Sequence, residues 1–134
     1  MNVPEELESL KGFHGHLGPY VTIGFRMGQI ARRELGDYRG MKATVYCSLE
    51  PPMRCIVDGV QFSSGCTFGK GNIVIKRGAN PRAVFTKEDR SLKVALRVDL
   101  RKRIDTEMSK AHEAEQSLRY YRMAEGDLLV VSLS

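Results

Sequence analysis

The fold is decided by residues 72–100, NIVIKRGANPRAVFTKEDRSLKVALRVDL. Three candidate strands lie in this stretch: NIVIKRG, RAVFTKE and SLKVALRVDL. Glycine, proline and charged residues separate them, and these are the residue types that form turns between neighbouring strands. The stretch therefore predicts a mostly antiparallel sheet.

Two further strands are predicted outside this stretch. In ATVYCSLE, residues 43–50, the more apolar side chains alternate with Thr, Tyr and Ser, which is the period of a half-buried strand. Pro51 and Pro52 follow and end this strand, because proline cannot donate a backbone hydrogen bond. Near the end of the chain, DLLVVSL, residues 127–133, predicts a final buried strand.

Four helices are predicted around the strands. PEELESL, residues 4–10, has proline followed by acids, which favour the first turn of a helix. Residues 17–35 predict a largely buried helix that ends at Gly36, and residues 55–62 predict a short one. In residues 100–124 an apolar stripe predicts one long amphipathic helix: Leu100, Ile104, Met108, Ala111, Leu118 and Tyr121. Helices and strands that are segregated in this way indicate an α+β fold.

The predicted C-terminal helix also suggests an assembly. A helix of about 25 residues spans about 37 Å, which is more than a domain of this size needs for its own core. We therefore expect the apolar stripe to pack partly against a second chain in a homodimer. The alternative is a helix that packs entirely within its own chain.

Composition and charge narrow the function. The chain has 134 residues, 42% of them apolar, which suits one globular domain over residues 1–134. The net charge is +5, but the 21 Lys and Arg are interleaved with 16 acids, so we expect no nucleic-acid partner. No window approaches the roughly 18 apolar residues that cross a bilayer, so no membrane span is expected. An odd number of cysteines and no signal peptide indicate a cytoplasmic protein without a disulfide framework.

FHGHLGPY, residues 13–20, is the first candidate for chemistry. On a regular helix His14 and His16 would point about 200° apart, whereas in an extended segment they lie on one side. The surrounding glycines and proline favour the extended or looped conformation, and neutral imidazoles are common ligands of zinc and related metals. The alternative is that one histidine caps a helix and the other lies on the surface.

IVDGVQFSSGCTFGKGN, residues 56–72, is the second candidate. Cys66 offers a thiolate, which is a strong zinc ligand. Gly69 and Gly71 would let the backbone pass close to an ion or a bound anion, and Lys70 between them would hold a carboxylate or phosphate. These three residues form the predicted cofactor-binding loop, although their spacing is not that of a P-loop. The alternative is a tight turn with a buried cysteine.

Cys55 joins Cys66 as a metal ligand only under a geometric condition. In one unbroken helix the two thiols would lie about 16 Å apart, whereas two ligands of a tetrahedral zinc are about 4 Å apart. They share an ion only if the SSG sequence before Cys66 breaks the helix and turns the thiol back. Asp58 lies near the same helix face as Cys55, so these two predict a cleft. Cys47 alternates with core residues and is expected to be structural.

FHGHLGPYVTIGFRMGQIA followed by RCIVDGVQFSSGCTFGKGN resembles the FmdE domain family, which comprises a subunit of formylmethanofuran dehydrogenase and its stand-alone relatives. That family has an F-H-G-H-x-C-P segment and a C-x-x-D-x-x-Q-x-x-x-G-C-T-x-G-K-G-N segment in this order. The resemblance implies an α+β domain, a homodimer and a bound transition metal such as zinc. It also implies association with formylmethanofuran dehydrogenase, which in methanogenesis-type metabolism reduces carbon dioxide onto methanofuran at a tungsten or molybdenum pterin in other subunits.

The sequence departs from this family pattern at Gly18, where the family has a cysteine. Any ligand role of that cysteine is lost, while the histidine pair and both later cysteines remain. No cysteine follows Cys66, so the cysteine-rich C-terminal extension of typical members is not matched. We expect no iron–sulfur cluster, because a cubane needs four thiolates and the chain has 3 cysteines.

Two functions remain open at this point. In the first, the chain is an accessory metal-binding or small-molecule-binding domain. Its metal core is His14, His16 and Cys66, Cys55 is the candidate fourth ligand, and Lys70, Asp58 and Gln61 line the cleft.

In the second, the chain is a stand-alone metal-dependent enzyme that acts on a small anionic or pterin-like substrate. Asp58 would then be the general base, and Lys70 is a further catalytic candidate. A glycine at position 18 would leave open the ligand position that a catalytic zinc needs.

Overall fold

Helices and strands form separate layers in the structure, a computed structural model that describes residues 2–134. The helices of this part of the chain are α1 Glu5–His14, α2 Pro19–Leu35, α3 Ile56–Ser64, α4 Val98–Glu107, α5 Glu113–Arg122 and α6 Glu125–Leu128. Short 3₁₀ turns occupy Met53–Cys55, Phe68–Lys70 and Lys110–His112. The predicted α+β class is confirmed.

The sheet has five strands in the order β2-β1-β3-β4-β5. They are β1 Met41–Cys47, β2 Ile73–Arg77, β3 Arg82–Lys87, β4 Arg90–Leu96 and β5 Leu129–Leu133. β1 and β2 run parallel, with Val45 paired with Ile75, and the other three pairings are antiparallel. The prediction of a mostly antiparallel sheet is therefore confirmed.

One face of the sheet carries the core. Along β1 the odd-numbered residues from Met41 to Cys47 are buried, while Lys42 on the opposite face is exposed. Phe85 of β3 and Val94 of β4 continue the buried face and pack in one cluster with side chains of α2, α3 and α4. The helices thus cover one side of the sheet, as the alternating pattern of a half-buried strand requires.

The last strand differs from its prediction. DLLVVSL predicts a buried strand, but β5 lies at the edge of the sheet, where β4 is its one partner among the described strands. Leu129 is buried, whereas Val130 is exposed. Leu128, which precedes the strand, belongs to α6 and is buried. A run of apolar residues predicts a strand but does not fix its place in the sheet.

The helix pair α2 and α3 packs with its backbones in contact. A Cβ atom added at Gly24 of α2 would lie 2.1 Å from the carbonyl oxygen of Ile56. A Cβ atom added at Gly59 of α3 would lie 2.1 Å from the carbonyl oxygen of Val21. No side chain larger than hydrogen fits at that distance, so these glycines set the spacing of the two helices. The spacing brings the start of α3 close to the start of α2.

The predicted long C-terminal helix is wrong. The chain leaves the helical conformation at Met108 and Ser109, so residues 100–124 contain α4, a 3₁₀ turn and α5. Leu100 and Ile104 are buried in the main cluster of the sheet, whereas Leu118 is buried in a second cluster with residues of α1 and α2.

A straight helix cannot face both clusters, which is the physical reason for the break. Because the chain buries these side chains itself, the stripe gives no reason to expect a second chain.

The remaining helices follow their predictions closely. α2 covers most of residues 17–35 and ends before Gly36, as predicted. α1 extends beyond PEELESL as far as His14. None of the helices described between residues 2 and 134 is long and apolar enough to cross a membrane.

Candidate metal centre

The two histidines stand on either side of a glycine turn. His14 is the last residue of α1, and Gly15 leaves the helix with a φ of 104°, a left-handed conformation that glycine adopts without strain. His16 follows in the connection to α2. The turn brings the two imidazole rings to 4.7 Å between their centroids. The sequence predicts an extended or looped conformation for both histidines, but His14 is still helical. The turn at Gly15 nevertheless places both rings on one side.

Cys55 lies beside the histidine pair, at the start of α3. It ends the 3₁₀ turn Met53–Cys55 directly before α3. One ligand atom from each of His14, His16 and Cys55 lies within 4.8 Å of the other two. Two imidazoles and one thiol form a donor set that zinc and similar transition metals prefer.

His14 has the geometry of a metal ligand. Its Nδ1 atom lies 2.6 Å from Oδ2 of Asp58, so a proton on Nδ1 is donated to the carboxylate. The Nε2 atom is buried and has no hydrogen-bond partner among the described residues. A buried nitrogen without a partner costs free energy, and a metal ion at Nε2 would remove that cost. The residues therefore fit a metal ion.

His16 makes its polar contacts within the described chain through Nδ1. Its Nδ1 atom lies 3.2 Å from the carbonyl oxygen of Leu17 and 3.5 Å from Oε1 of Glu113. The side chain is 52% exposed, compared with 8% for that of His14. The cluster thus has one buried and one solvent-facing imidazole.

The surroundings of Cys55 disfavour the thiolate in the absence of a cation. Burial, with further contributions from the negative charges of Asp58 and Glu113, raises its pKa above the ordinary cysteine value. A divalent cation reverses this balance because it stabilises the thiolate.

Cys66 lies away from these three donors. The chain stays helical to Ser64 and Gly65 caps α3, so Cys55 and Cys66 lie at opposite ends of one helix. The condition for a shared ion, a break at SSG that turns the thiol back, is not met. Cys66 is buried in the core, and its Sγ atom lies 3.8 Å from the carbonyl oxygen of Met41. Burial raises the pKa of this thiol too.

The glycine loop also lies outside the cluster of donors. Lys70 donates from Nζ to the carbonyl oxygen of Gly65 at 2.9 Å, and its ammonium lies 4.5 Å from the ring centroid of Tyr38. It therefore caps the end of α3. Gly71 has a φ of 71°, so the turn needs glycine there, whereas a side chain at Gly69 would meet only ordinary contacts.

A cavity of about 320 Å³ opens beside the donors. Its apolar lining residues are Pro51, Val57, Phe68 and Ile75. Its other lining residues carry the polar or ligand-forming groups: His14, Arg54, Cys55, Asp58 and Gln61. The glycine loop thus contributes Phe68 to this cavity, and the positive charge in the cavity is that of Arg54.

Asp58 is held on both sides in this cavity. Oδ2 accepts from His14, and Oδ1 accepts from Nε2 of Gln61 at 3.4 Å. Since each carboxylate oxygen has a partner, the geometry favours a residue that positions His14 over a free general base.

A second, smaller cavity of about 30 Å³ also borders the donors. Its lining includes His14, His16, Cys55, Gly18 and Glu113. Glu113 belongs to the first turn of α5, and no local pattern in the sequence connects it to residues 13–20. Only the folded chain brings it there.

A sequence model of the family described as "FmdE, Molybdenum formylmethanofuran dehydrogenase operon" matches residues 13–129. The chain belongs to the FmdE family. The matched residues of the FmdE domain include His14, His16, Cys55 and Glu113, and the predicted resemblance is confirmed.

The FmdE fold is also seen in a solved structure, that of a tungsten formylmethanofuran dehydrogenase FmdE-like protein from Syntrophus aciditrophicus. The TM-score is 0.68, and the alignment covers 97% of this chain and 70% of that one at 23% identity. At this identity the similarity establishes the fold.

A curated relative from Archaeoglobus fulgidus is named a probable S-adenosyl-L-methionine-binding protein. It is 34% identical over an alignment of 83 residues, and the alignment covers 59% of this chain and 23% of the relative. The FmdE domain therefore matches a minor part of that longer protein.

Proposed function

We propose that this FmdE domain binds one divalent transition-metal ion, zinc or a close relative of zinc, through His14, His16 and Cys55. The observation that carries the proposal is the state of His14: Asp58 holds Nδ1, and Nε2 is buried without a partner among the described residues. Carboxylates that fix the far nitrogen of a histidine are typical of metal sites. Metal–ligand bonds of about 2.0–2.3 Å require only small side-chain movements from the distances seen here.

The proposed role is that of an accessory metal-binding domain related to formylmethanofuran dehydrogenase. Association with other subunits of such a complex, and a homodimer, rest on membership of the FmdE family. Sedimentation at micromolar concentration tests the proposed homodimer. A protein that sediments only as a monomer would contradict it.

The cavity beside the donors supports a second candidate function, the binding or conversion of a small organic molecule. A bound zinc would supply Lewis acidity there, since such an ion polarises a ligand oxygen. Phe68 is 59% exposed and offers a ring for stacking, while Arg54 offers a cation for an anionic group. A molecule with a flat ring and a carboxylate, such as S-adenosyl-L-methionine, combines both features. The name of the Archaeoglobus fulgidus relative favours this class of ligand.

Metal analysis of the purified protein tests the proposed centre. We expect about one zinc ion per chain in the parent, and loss of the ion in His14→Ala and Cys55→Ser, because two remaining ligands compete poorly with water. His112→Ala is the matched control, since His112 is an exposed histidine outside the cluster. Cys66→Ala is expected to keep its metal. Zinc that persists in a His14→Ala, Cys55→Ser double variant would contradict the proposal.

A further inference from the structure

We infer that Glu113 is the fourth protein ligand of this metal centre and occupies the space that Gly18 leaves open. The inference rests on the proposed metal at His14, His16 and Cys55. It assigns a donor from α5, an element that carries none of the other three.

The carboxylate of Glu113 lines the same small cavity as the three donors. His14, His16 and Cys55 share its lining with Glu113 and Gly18, and its volume of about 30 Å³ suits a single small occupant. Oε1 of Glu113 lies 3.5 Å from Nδ1 of His16. Among residues 2–134, the only basic side chain within ion-pair distance of Glu113 is the imidazole of His16. No lysine or arginine in the described chain accounts for a carboxylate at this place.

Gly18 faces the same space as the carboxylate. A Cβ atom added at Gly18 would lie 3.7 Å from Cε1 of His16 and 4.0 Å from Oε2 of Glu113, which are ordinary contacts. The backbone at Gly18 is extended, with φ of −160°, so any residue could stand there. A side chain at position 18 would therefore occupy the same space as the carboxylate of Glu113. Because residue 18 is glycine, that space is available to Glu113.

The net charge of the metal centre gives a further reason to assign Glu113 as a ligand. Two neutral imidazoles and one thiolate leave a divalent ion with one net positive charge in a half-buried site. A carboxylate from Glu113 makes the centre neutral, and burying a neutral centre costs less than burying a charged one. Glu113 is not needed to orient His16, because the carbonyl oxygen of Leu17 already accepts from Nδ1.

The consequence is a closed centre in the resting protein. With four protein ligands the ion has no open position for water, so an oxygen of a molecule in the larger cavity would reach the ion only as a fifth ligand or by displacing one of the four. A small molecule in the larger cavity would approach the side of the centre formed by His14 and Cys55.

Cobalt(II)-loaded protein tests this inference, because the visible spectrum of cobalt reports its ligands. The parent, Glu113→Gln and the control Glu115→Gln are each titrated with azide, an exogenous ligand that enters an open position. Both glutamates lie in the first turn of α5, so the two substitutions perturb the helix equally, and Glu115 is exposed. We expect azide to change the spectrum of Glu113→Gln and to leave the parent and Glu115→Gln unchanged.

Two further measurements test the inference: the zinc affinity of the variants, and the effect of adding a cysteine ligand at position 18. Chelator competition is expected to show weaker zinc binding in Glu113→Gln than in Glu115→Gln, by more than the roughly ten- to hundredfold that is typical of an outer partner of a ligand histidine. Adding Gly18→Cys to Glu113→Gln is expected to restore resistance to azide and to add a second thiolate-to-cobalt absorption band.

The outcomes separate the two proposals. If the parent binds cobalt and responds to azide as Glu113→Gln does, Glu113 is not a ligand and the inference fails while the metal centre stands. If Glu113→Gln matches Glu115→Gln in both affinity and azide response, the inference fails as well. A parent that binds no metal overturns the proposed centre itself.

Discussion

Asp58 and His14 come from two helices far apart in sequence and meet at 2.6 Å, Oδ2 to Nδ1. Asp58 lies in the first turn of α3, and His14 closes α1. The contact holds the imidazole through Nδ1 and leaves Nε2 buried. It is the link between the packing of the helices and the geometry of the proposed metal centre.

Removing the charge of Asp58 is expected to weaken metal binding without removing a ligand. In Asp58→Asn the side chain keeps its shape, but the amide no longer holds the proton of Nδ1 as a carboxylate does. We expect zinc affinity to fall roughly ten- to hundredfold, the range for such outer partners of a ligand histidine. Competition with a chelator measures it. Asp89→Asn, in an exposed turn, is the control, and equal affinities in the two variants would speak against the role of Asp58.

The close packing of α2 on α3 makes a prediction about stability. In Gly59→Ala the new methyl group would meet the carbonyl oxygen of Val21, so the helices must separate. We expect a loss of about 3 kcal/mol in the free energy of unfolding, at the upper end of the range for overpacked cores. Urea denaturation measures the loss.

Gly126→Ala is the control for this experiment, because no atom lies within 4 Å of a Cβ there. We expect that variant to be neutral or slightly more stable than the parent. If Gly59→Ala unfolds at the same urea concentration as Gly126→Ala, the two helices are not in backbone contact.

Arg26 fixes the end of α5, the helix that carries Glu113. Its Nη1 atom donates to the carbonyl oxygens of Tyr120, Tyr121 and Met123 at 2.7, 3.0 and 2.8 Å. Burial lowers the pKa of the guanidinium. These carbonyls are the acceptors that a helix leaves unpaired at its C-terminal end, so Arg26 supplies the missing donors.

Arg26→Met is therefore expected to destabilise the fold by about 2–3 kcal/mol, since it leaves part-buried carbonyls without a donor. Hydrogen exchange should quicken at the amides of α5 in particular. Arg122→Met is the control, because Arg122 lies on the same helix and is exposed. Unchanged exchange in α5 of Arg26→Met would show that the helix is held by other contacts.

Sequence reasoning predicts the parts of this molecule that depend on local pattern. The helix at residues 17–35 is predicted because its apolar residues recur at helical spacing and Gly36 follows. His14 and His16 are predicted as a pair because the motif itself places them two residues apart. In each case the information lies within one short segment.

The parts that local pattern misses depend on contacts between distant segments. The stripe from Leu100 to Leu118 has helical spacing throughout, yet its two halves face different clusters, and only the tertiary structure shows the break at Met108. Cys66 looks like a ligand beside its glycines but faces the sheet. Glu113 has no signal of its own in the sequence, since its place depends on how α5 folds back.

The larger cavity leads to the last prediction, which concerns Arg54. Its Nη1 atom donates to the carbonyl oxygen of Leu49 at 3.2 Å, which holds the guanidinium at the cavity, and its other N–H groups have no acceptor among residues 2–134. Charge-assisted hydrogen bonds to a carboxylate are among the strongest in proteins. Arg54 is therefore the expected partner of an anionic group in this cavity.

In Arg54→Ala we expect zinc content to stay at the parent level, because Arg54 is not a ligand of the metal centre. Binding of S-adenosyl-L-methionine, measured by titration calorimetry, should weaken about tenfold or more, as expected for the loss of one hydrogen bond to a charged group. Lys70→Ala is the matched control, since Lys70 is bound to Gly65 and does not line the cavity. If binding is lost in Lys70→Ala and kept in Arg54→Ala, the anion site lies in the glycine loop, as the sequence predicts. If the parent does not bind S-adenosyl-L-methionine, this ligand is excluded for the cavity.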